Sequence, residues 1–471
     1  MASKSYALEN ILAVAKVHPF YSDVEYPPTR ESLAKILAEA SENDNSKRLQ
    51  LKDFPLIRKE TLYQSIKRLS ADTNPRNGYR QHGYISVTGG GSGGVPMVFV
   101  TDSAENRKHR DVMGSLIRGC GLIKPGDWML TMHISGFFYR ALDLVTELVE
   151  QAGGSVLCAG HNMSYAEVVA AAINYQVNVI AGDGSQMVQL AAYISSLPPA
   201  QREAIKITKF LYTSEPLIRA QRAFIRSVMG PIAICSILGS SEAGAWAVAN
   251  LDLTGDTEDD YTEFIFDTRS MVIEVLPMSV EDEDQLESNP GAVGVSEVAE
   301  GEIGIIVQTS LQRLRHPLVR YVSGDMGSLR PLPAAALASI PAADAPYMKF
   351  LRLYGRDRRF SFKWYAEYFT FAKLETFMRT PAYGIMQWQV VLSYTAGTPE
   401  IALEVRVFRP GEDTSELVST EDVTQRIKRF FGLLPINEHL FNLVFVRSAD
   451  EFERSKTGNK IIKFVDRTKK L

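Results

Sequence analysis

Between Ser86 and Pro96 the chain reads SVTGGGSGGVP, five glycines and three hydroxyl residues set between apolar, extended runs. Successive glycines let backbone N–H groups converge on an anion with no Cβ in the way. Thr88 and Ser92 add hydroxyl donors, so the chemistry this stretch suits is phosphate binding. Taken alone it equally describes a flexible hairpin loop. Two other phosphate-loop patterns fail: Val95 and Pro96 stand where one needs lysine and a hydroxyl, and Pro96 opposes the immediate helix that the other needs. A strand, loop, strand arrangement is what remains.

Further polar groups follow in order. YTSEPL places Thr213, Ser214 and Glu215 after the apolar run ITKFL, and ILGSSEAG places Ser240, Ser241 and Glu242 after PIAICS. In a parallel sheet both sets fall at carboxyl ends of strands, where ligands bind, although Ser followed by Glu also starts helices. VRYVSGDMGSL puts Asp325 on a tight Ser-Gly-Asp turn, and LYGRDRRF puts Arg356 beside Gly355. An acid and an arginine at one cleft suit a ribose and a phosphate. His133 reads as a satisfied core imidazole or a pocket wall, and Phe137, Phe138, Tyr139 and Trp246 as a flat apolar pocket or ordinary core.

The elements that must position these groups are legible from Ala104 onwards. ENRKHRDVMGSLIRGCGL, RALDLVTELVEQAG and YAEVVAAAINYQ carry helical periodicity, and WMLTMHI, SVLCAG and VNVIAG between them read as strands. The alternation predicts parallel α/β sheet covered on both faces. After Leu251 the segments become β-rich, PLPAAALASIPAADAPY reads as a surface excursion, and the chain beyond Gly355 reads as a small α+β domain with the order helix, strand, strand, helix, strand. The 471 residues are 45% hydrophobic and 23% charged with net charge −4, which gives no excess of basic charge for nucleic acid or an anionic membrane. Cys120, Cys158 and Cys235 read as buried reduced thiols. With neither a signal peptide nor a long apolar run evident, a cytoplasmic enzyme is expected.

The ordered set resembles the adenylate-forming superfamily of acyl-CoA synthetases, nonribosomal adenylation domains and luciferases, and within it the phenylacetate-CoA ligase branch. The resemblance runs from about Phe54 to Arg467. GGGSGGVP is similar to the phosphate loop SGTTGKP, with Val95 replacing lysine, and SEPL to the adenine-packing GAEPL. LGSSEAG is similar to YGLTE, with Leu238 for the aromatic that stacks on adenine. PLVRYVSGD matches PLIRYRTGD, YGRDRRF the hinge segment, and SKTGNKIIKFVDR the carboxyl-terminal lysine motif.

The resemblance implies a large, multi-sheet α/β adenylation domain over residues 1–354 and a small mobile α+β lid over 355–471. It implies that Thr88, Gly89, Gly90, Gly91, Ser92 and Gly93 grip ATP phosphates. Ser214, Glu215, Pro216, Leu238, Gly239, Ser240 and Ser241 would face the nucleotide, Asp325 the ribose, and Glu242 a magnesium ion. Arg356 and Lys460 are its other catalytic groups, with Lys460 bridging the carboxylate and the leaving phosphate. His133, Gly136, Phe137, Gly182, Asp183, Gly184 and Trp246 would form the acyl pocket, Asp183 facing a polar substrate group. The implied reaction adenylates an aromatic or heteroaromatic carboxylate with ATP and Mg2+ and then transfers the acyl group, most simply to coenzyme A. The alternatives are a reductase, carrier or amine acceptor in secondary metabolism of the phenazine-tailoring and antibiotic kind, or a degenerate nucleotide-binding regulator. Arg358 replaces the hinge acid. Tyr365, or Ala366 with a one-residue gap, stands where the family has the glycine that opens the pantetheine tunnel, so adenylation is expected to outpace transfer to free coenzyme A.

Overall fold

The computed structural model describes residues 5–42, 49–87, 98–136, 138–214, 217, 219–256, 261–281, 293–356, 361–409, 417–454 and 461–468. The loop residues Thr88 to Gly93, together with Val95, Phe137, Glu215, Pro216, Arg358 and Lys460, lie outside the described residues, as does the side chain of Arg356.

Strands β1 (Gly83–Val87) and β2 (Val98–Asp102) pair antiparallel on either side of the glycine-rich stretch. After them come β3 (Trp128–Thr131), a two-residue ribbon of β4 (Ser135–Gly136) and β5 (Tyr139–Arg140), then β6 (Ser155–Cys158), β7 (Val179–Asp183), β8 (Lys209–Thr213) and β9 (Ala233–Ser240). Strands β3 and β6 to β9 are parallel, as the alternating pattern predicts. The same sheet continues antiparallel through β10 (Gly244–Asn250), β11 (Thr262–Asp267), β12 (Met271–Leu276), β13 (Gly304–Ser310), β14 (Tyr321–Arg330) and β15 (Met348–Arg356). Among the described residues it has 11 strands in the order β12-β13-β14-β15-β11-β10-β9-β8-β7-β3-β6, and with the separate β1-β2 and β4-β5 ribbons it makes the large part the multi-sheet α/β unit that was expected.

The pleat sends successive side chains to opposite faces, and in the parallel half both faces are buried. Met129, Val179, Ala181, Leu211 and Cys235 pack under the helices Ser103–Gly119 and Ala141–Ala152. Their neighbours Leu130, Ile180, Phe210 and Ile234 pack under Tyr165–Asn174, Gly184–Ser195 and Arg219–Met229. Gly114 permits the close approach of the first two helices: a Cβ there would lie 2.5 Å from Gln151 Cβ.

The small part opens with the hairpin β16 (Ser361–Trp364) and β17 (Glu367–Thr370), which precedes the first helix, Phe371–Met378. Strands β18 (Gln387–Tyr394), β19 (Ile401–Phe408), β20 (Phe441–Val446) and β21 (Phe464–Asp466) then form a sheet in the order β20-β19-β18-β21, with the helix Thr420–Phe430 between β19 and β20. Its core is aromatic, with the Phe362 ring stacked on Phe369 at 5.4 Å and on Phe464 at 4.6 Å. The order therefore has a leading hairpin that periodicity alone did not suggest.

Three local expectations are corrected. The Ala- and Pro-rich stretch is not simply a surface excursion: Ala334–Ser339 is a helix whose Ala336, with the following Ile340, enters the main core. Asp325 lies inside strand β14, where Gly324 takes φ 75°, and not on a turn that ends it. Cys120 and Cys235 are buried, but Cys158 is exposed.

Candidate active site

Strands β9 and β10 reverse through Ser241 to Ala243, and this reversal carries Glu242. Gly239 is needed for it, since a Cβ there would lie 2.7 Å from the Gly244 carbonyl oxygen. Ser240 Oγ accepts the Ala243 N–H at 3.0 Å, and Ser241 Oγ donates to the Val87 carbonyl at 3.2 Å, tying the reversal to the end of β1 where the glycine-rich stretch begins. Leu238 faces Ala247 across the ladder.

Glu242 is buried, with Lys59 Nζ 3.3 Å from Oε1 and the Tyr321 hydroxyl donating to the same oxygen at 3.2 Å. Burial works against its charge, but Lys59, the main chain at Glu242 and Ser240 more than offset that, so the carboxyl titrates below its ordinary range. Lys59 opens the helix Lys59–Ala71, an end where a cation is disfavoured by the helix dipole. That mismatch is the one local sign of it in the sequence. Tyr321 carries none.

Two cavities meet at this carboxylate and share Lys59, Gly239, Ser240 and Glu242 in their walls. The smaller, of about 80 Å³, is lined by Leu238, Trp246, Tyr321, Ser323 and Asp325. Asp325 donates its N–H to Ser323 Oγ at 3.1 Å and pairs in register with Arg356 across β14 and β15. The acid and the arginine that the sequence suggested for one cleft are thus brought together at the backbone.

The larger cavity, of about 310 Å³, has an apolar wall of Leu144, Val145, Leu148 and Ile237, faced by Tyr139, His109 and Arg313. Ser86 and Val87 of β1, Thr213 and Ser214 at the end of β8, and Ala366 and Glu367 of the small part also line it. Ser214 holds φ 71°, a strained value for a residue with a side chain, and such strain gathers at functional sites. Tyr365 and Ala366 form the turn of the β16–β17 hairpin, and Tyr365 adopts φ 52°, where two-residue turns favour glycine.

His109 Nε2 lies 2.6 Å from the Ala245 carbonyl oxygen, so that nitrogen carries the proton and Nδ1 faces Arg110 at 3.4 Å. Burial, then Arg110 and Arg313, push its pKa down to about 3. Sequence reasoning did not single out His109, Arg110 or Arg313.

Several expected pocket residues take other places. His133 is fully enclosed, bonded through Nδ1 to Thr131 Oγ1 at 2.9 Å and through Nε2 to Thr213 Oγ1 at 2.8 Å, and burial pushes its pKa down to about 4. It is not part of the described cavity wall but bonds to Thr213, which is. Asp183 caps the helix Gly184–Ser195 by accepting the Gln186 N–H at 2.8 Å, and Gly182 leaves room for Gln186, whose Oε1 would lie 2.6 Å from a Cβ there. Gly182, Asp183 and Gly184 belong to neither cavity wall. Gly136, at φ 90°, is exposed in the β4–β5 ribbon and also lies outside both walls. Trp246 lies in the smaller cavity, edge-on to Phe266 at 5.7 Å, instead of beside Tyr139.

No protein-family profile and no curated protein matches the sequence. Solved structures do. A 2-hydroxyisobutyryl-CoA ligase in complex with 2-HIB-AMP and CoA in the thioesterification state aligns with TM-score 0.65 at 16% identity, over 97% of this chain and 88% of that one. The same ligase aligns with TM-score 0.52 in an open conformation, over 97% and 90% of the two chains at 16% identity. In the postadenylation state with 2-HIB-AMP the score is 0.53, over 98% and 91% at 16% identity. This chain has the adenylate-forming fold. In it the Glu242 reversal, the end of β1 at Ser86 and Val87, and the β16–β17 hairpin at Ala366 and Glu367 line one cavity. No helix among the described residues is long and apolar enough to cross a membrane.

Proposed function

We propose that the chain is an AMP-forming acid ligase of the phenylacetate-CoA ligase kind, which adenylates an aromatic or heteroaromatic carboxylate and then transfers the acyl group. The observation that carries this reading is the position of Glu242, an ionised carboxylate at the junction of a small polar cavity and a larger one with an apolar wall. A flat acid fits the wall of Leu144, Val145, Leu148 and Ile237, and the side holding Asp325 suits a nucleoside. Among the described residues no group of three metal-ligating side chains occurs. A single carboxylate is enough for magnesium, which keeps several waters and shares phosphate oxygens. Glu242 would hold that ion, and bound there it neutralises charge on the transferring phosphate.

The chain's own groups do the rest. Ser240 and Ser241 fix the Glu242 reversal against β1, Lys59 and Ser240 keep the carboxylate ionised, Tyr321 donates to it, and His133 holds Thr213 at the cavity wall. We assign Lys460 to bridging the carboxylate and the leaving phosphate, Arg356 to the phosphate, Asp325 to the ribose, and Thr88 to Gly93 to the phosphate grip. A carboxylate oxygen attacks the α-phosphorus and pyrophosphate leaves. An acceptor then attacks the acyl carbon and AMP leaves. Coenzyme A is the simplest acceptor: Ala366, a small residue, faces the cavity, while the strained Tyr365 lies in neither wall and has its ring 6.4 Å from Trp364.

ATP–pyrophosphate exchange over a panel of aromatic and heteroaromatic acids tests the reading. Exchange that depends on one class of acid is expected, and exchange with none of them would overturn it.

A further inference from the structure

The larger cavity contains one cation whose charge nothing described neutralises at close range. Lys59 pairs with Glu242 at 3.3 Å, Arg110 with Glu147 at 3.1 Å and Arg140 with Asp143 at 2.8 Å. Arg313 is only 9% exposed and lines the cavity, yet no hydrogen bond or ion pair joins its guanidinium to any described residue. Glu105, Glu242 and Tyr79 act on it only through their fields, favouring its charge, and Arg110 opposes it. Burial lowers its pKa only to about 10, so the group stays charged at neutral pH.

A buried guanidinium without a close partner is costly, and an anionic ligand in the cavity would relieve that cost. Its planar fork matches a carboxylate through two parallel N–H···O bonds. Gln312, Asn106 and His109 share the wall, and Leu144, Val145, Leu148 and Ile237 give it an apolar side, so the site suits an organic acid whose body lies on that side.

We propose that Arg313 is the carboxylate anchor of the acyl cavity, binding an acid group of the substrate directly. This rests on the ligase reading above and deepens it: the substrate is chosen by its carboxylate as well as its ring. That carboxylate is either the reacting one or a second acid at the far end of the molecule, and the two differ in what they predict.

Direct calorimetric binding to the full-length protein, without ATP, tests the proposal with phenylacetate, its neutral amide, and 4-carboxyphenylacetate. The wild type should bind an acid at least about tenfold more tightly than the amide, and Arg313→Met should erase that preference while Arg313→Lys retains part of it. Loss of the phenylacetate preference assigns the reacting carboxylate; loss confined to the extra affinity of 4-carboxyphenylacetate assigns a second acid. Equal binding of acids and amide by the wild type, no binding of any probe, or an unchanged preference in Arg313→Met would overturn the proposal. Thermal melting separates a structural role: without ligand, Arg313→Met should melt at or above the wild-type temperature, and a clear drop would mean that the arginine supports the fold. Acid-dependent pyrophosphate exchange that survives in Arg313→Met with unchanged KM for the acid would remove the anchor and leave the ligase reading standing.

Discussion

On the Asp325 side of Glu242, polar groups already hold one another. Ser323 Oγ donates to the Ile306 carbonyl at 2.9 Å and accepts the Asp325 N–H, and Tyr321 donates to Glu242. On the other side an apolar wall faces Arg313, whose guanidinium has no close partner among the described residues. The first cavity is organised before any ligand arrives, as the nucleotide proposed for it would need. The second leaves one charge for the ligand to complete, as suits a site that must choose among acids. Glu242 belongs to both walls, so a change there should be felt on both sides.

The comparison breaks most visibly at that carboxylate. Glu242→Gln should lower kcat for pyrophosphate exchange by roughly 10² to 10³, about 3–4 kcal/mol, because it removes the carboxylate that would hold the magnesium ion neutralising the transferring phosphate. Magnesium titrations of variant and wild type that overlay would contradict the assignment.

Acid should reveal the strain on the larger side. His109 stays neutral in the folded chain, with its pKa near 3, while the unfolded imidazole titrates near 6.5. Between those values the unfolded chain binds a proton that the folded chain refuses. Stability therefore falls as pH drops through that window, by about 1.4 kcal/mol per pH unit for this one site. Urea unfolding at several pH values should show a shallower slope for His109→Gln, and equal slopes would refute the neutral imidazole.

The smaller cavity should respond in binding alone. Asp325→Ala should raise KM for ATP about tenfold and leave kcat within about twofold, since a ribose contact is made equally in ground and transition states. A mainly kcat effect would move Asp325 to the reacting centre. The smallest change expected is a gain: Leu238→Phe, beside Trp246, should restore a ring for the base to stack on and tighten ATP by about 1 kcal/mol. Unchanged ATP affinity would mean that the adenine does not lie against Leu238.

Much of this was legible in the sequence because it is local. The βα alternation, the Glu242 reversal and the segment PLVRYVSGD are short patterns whose residues act close to where they are written. Lys59 and Arg313 were not legible, since each reaches the site from a distant segment and only the packed sheet brings them to Glu242. His133 and Asp183 show the opposite case, His133 taking the core-imidazole reading of the two that the sequence offered. Their motifs sit at strand ends, but His133 is satisfied by two threonines and Asp183 by a helix it caps, and local sequence cannot say whether a polar group at a strand end turns toward a ligand or toward its own backbone. The Ala- and Pro-rich stretch was misread because its prolines obscured a helix of only six residues.

The central claim is that the carboxylate attacks the α-phosphorus of ATP, and the fate of its oxygen tests that directly. With an acid labelled in both carboxylate oxygens with oxygen-18, and an acceptor present, mass spectrometry of the released nucleotide should find one labelled oxygen in AMP. Label in inorganic phosphate together with ADP, or AMP formed without label, would contradict the account.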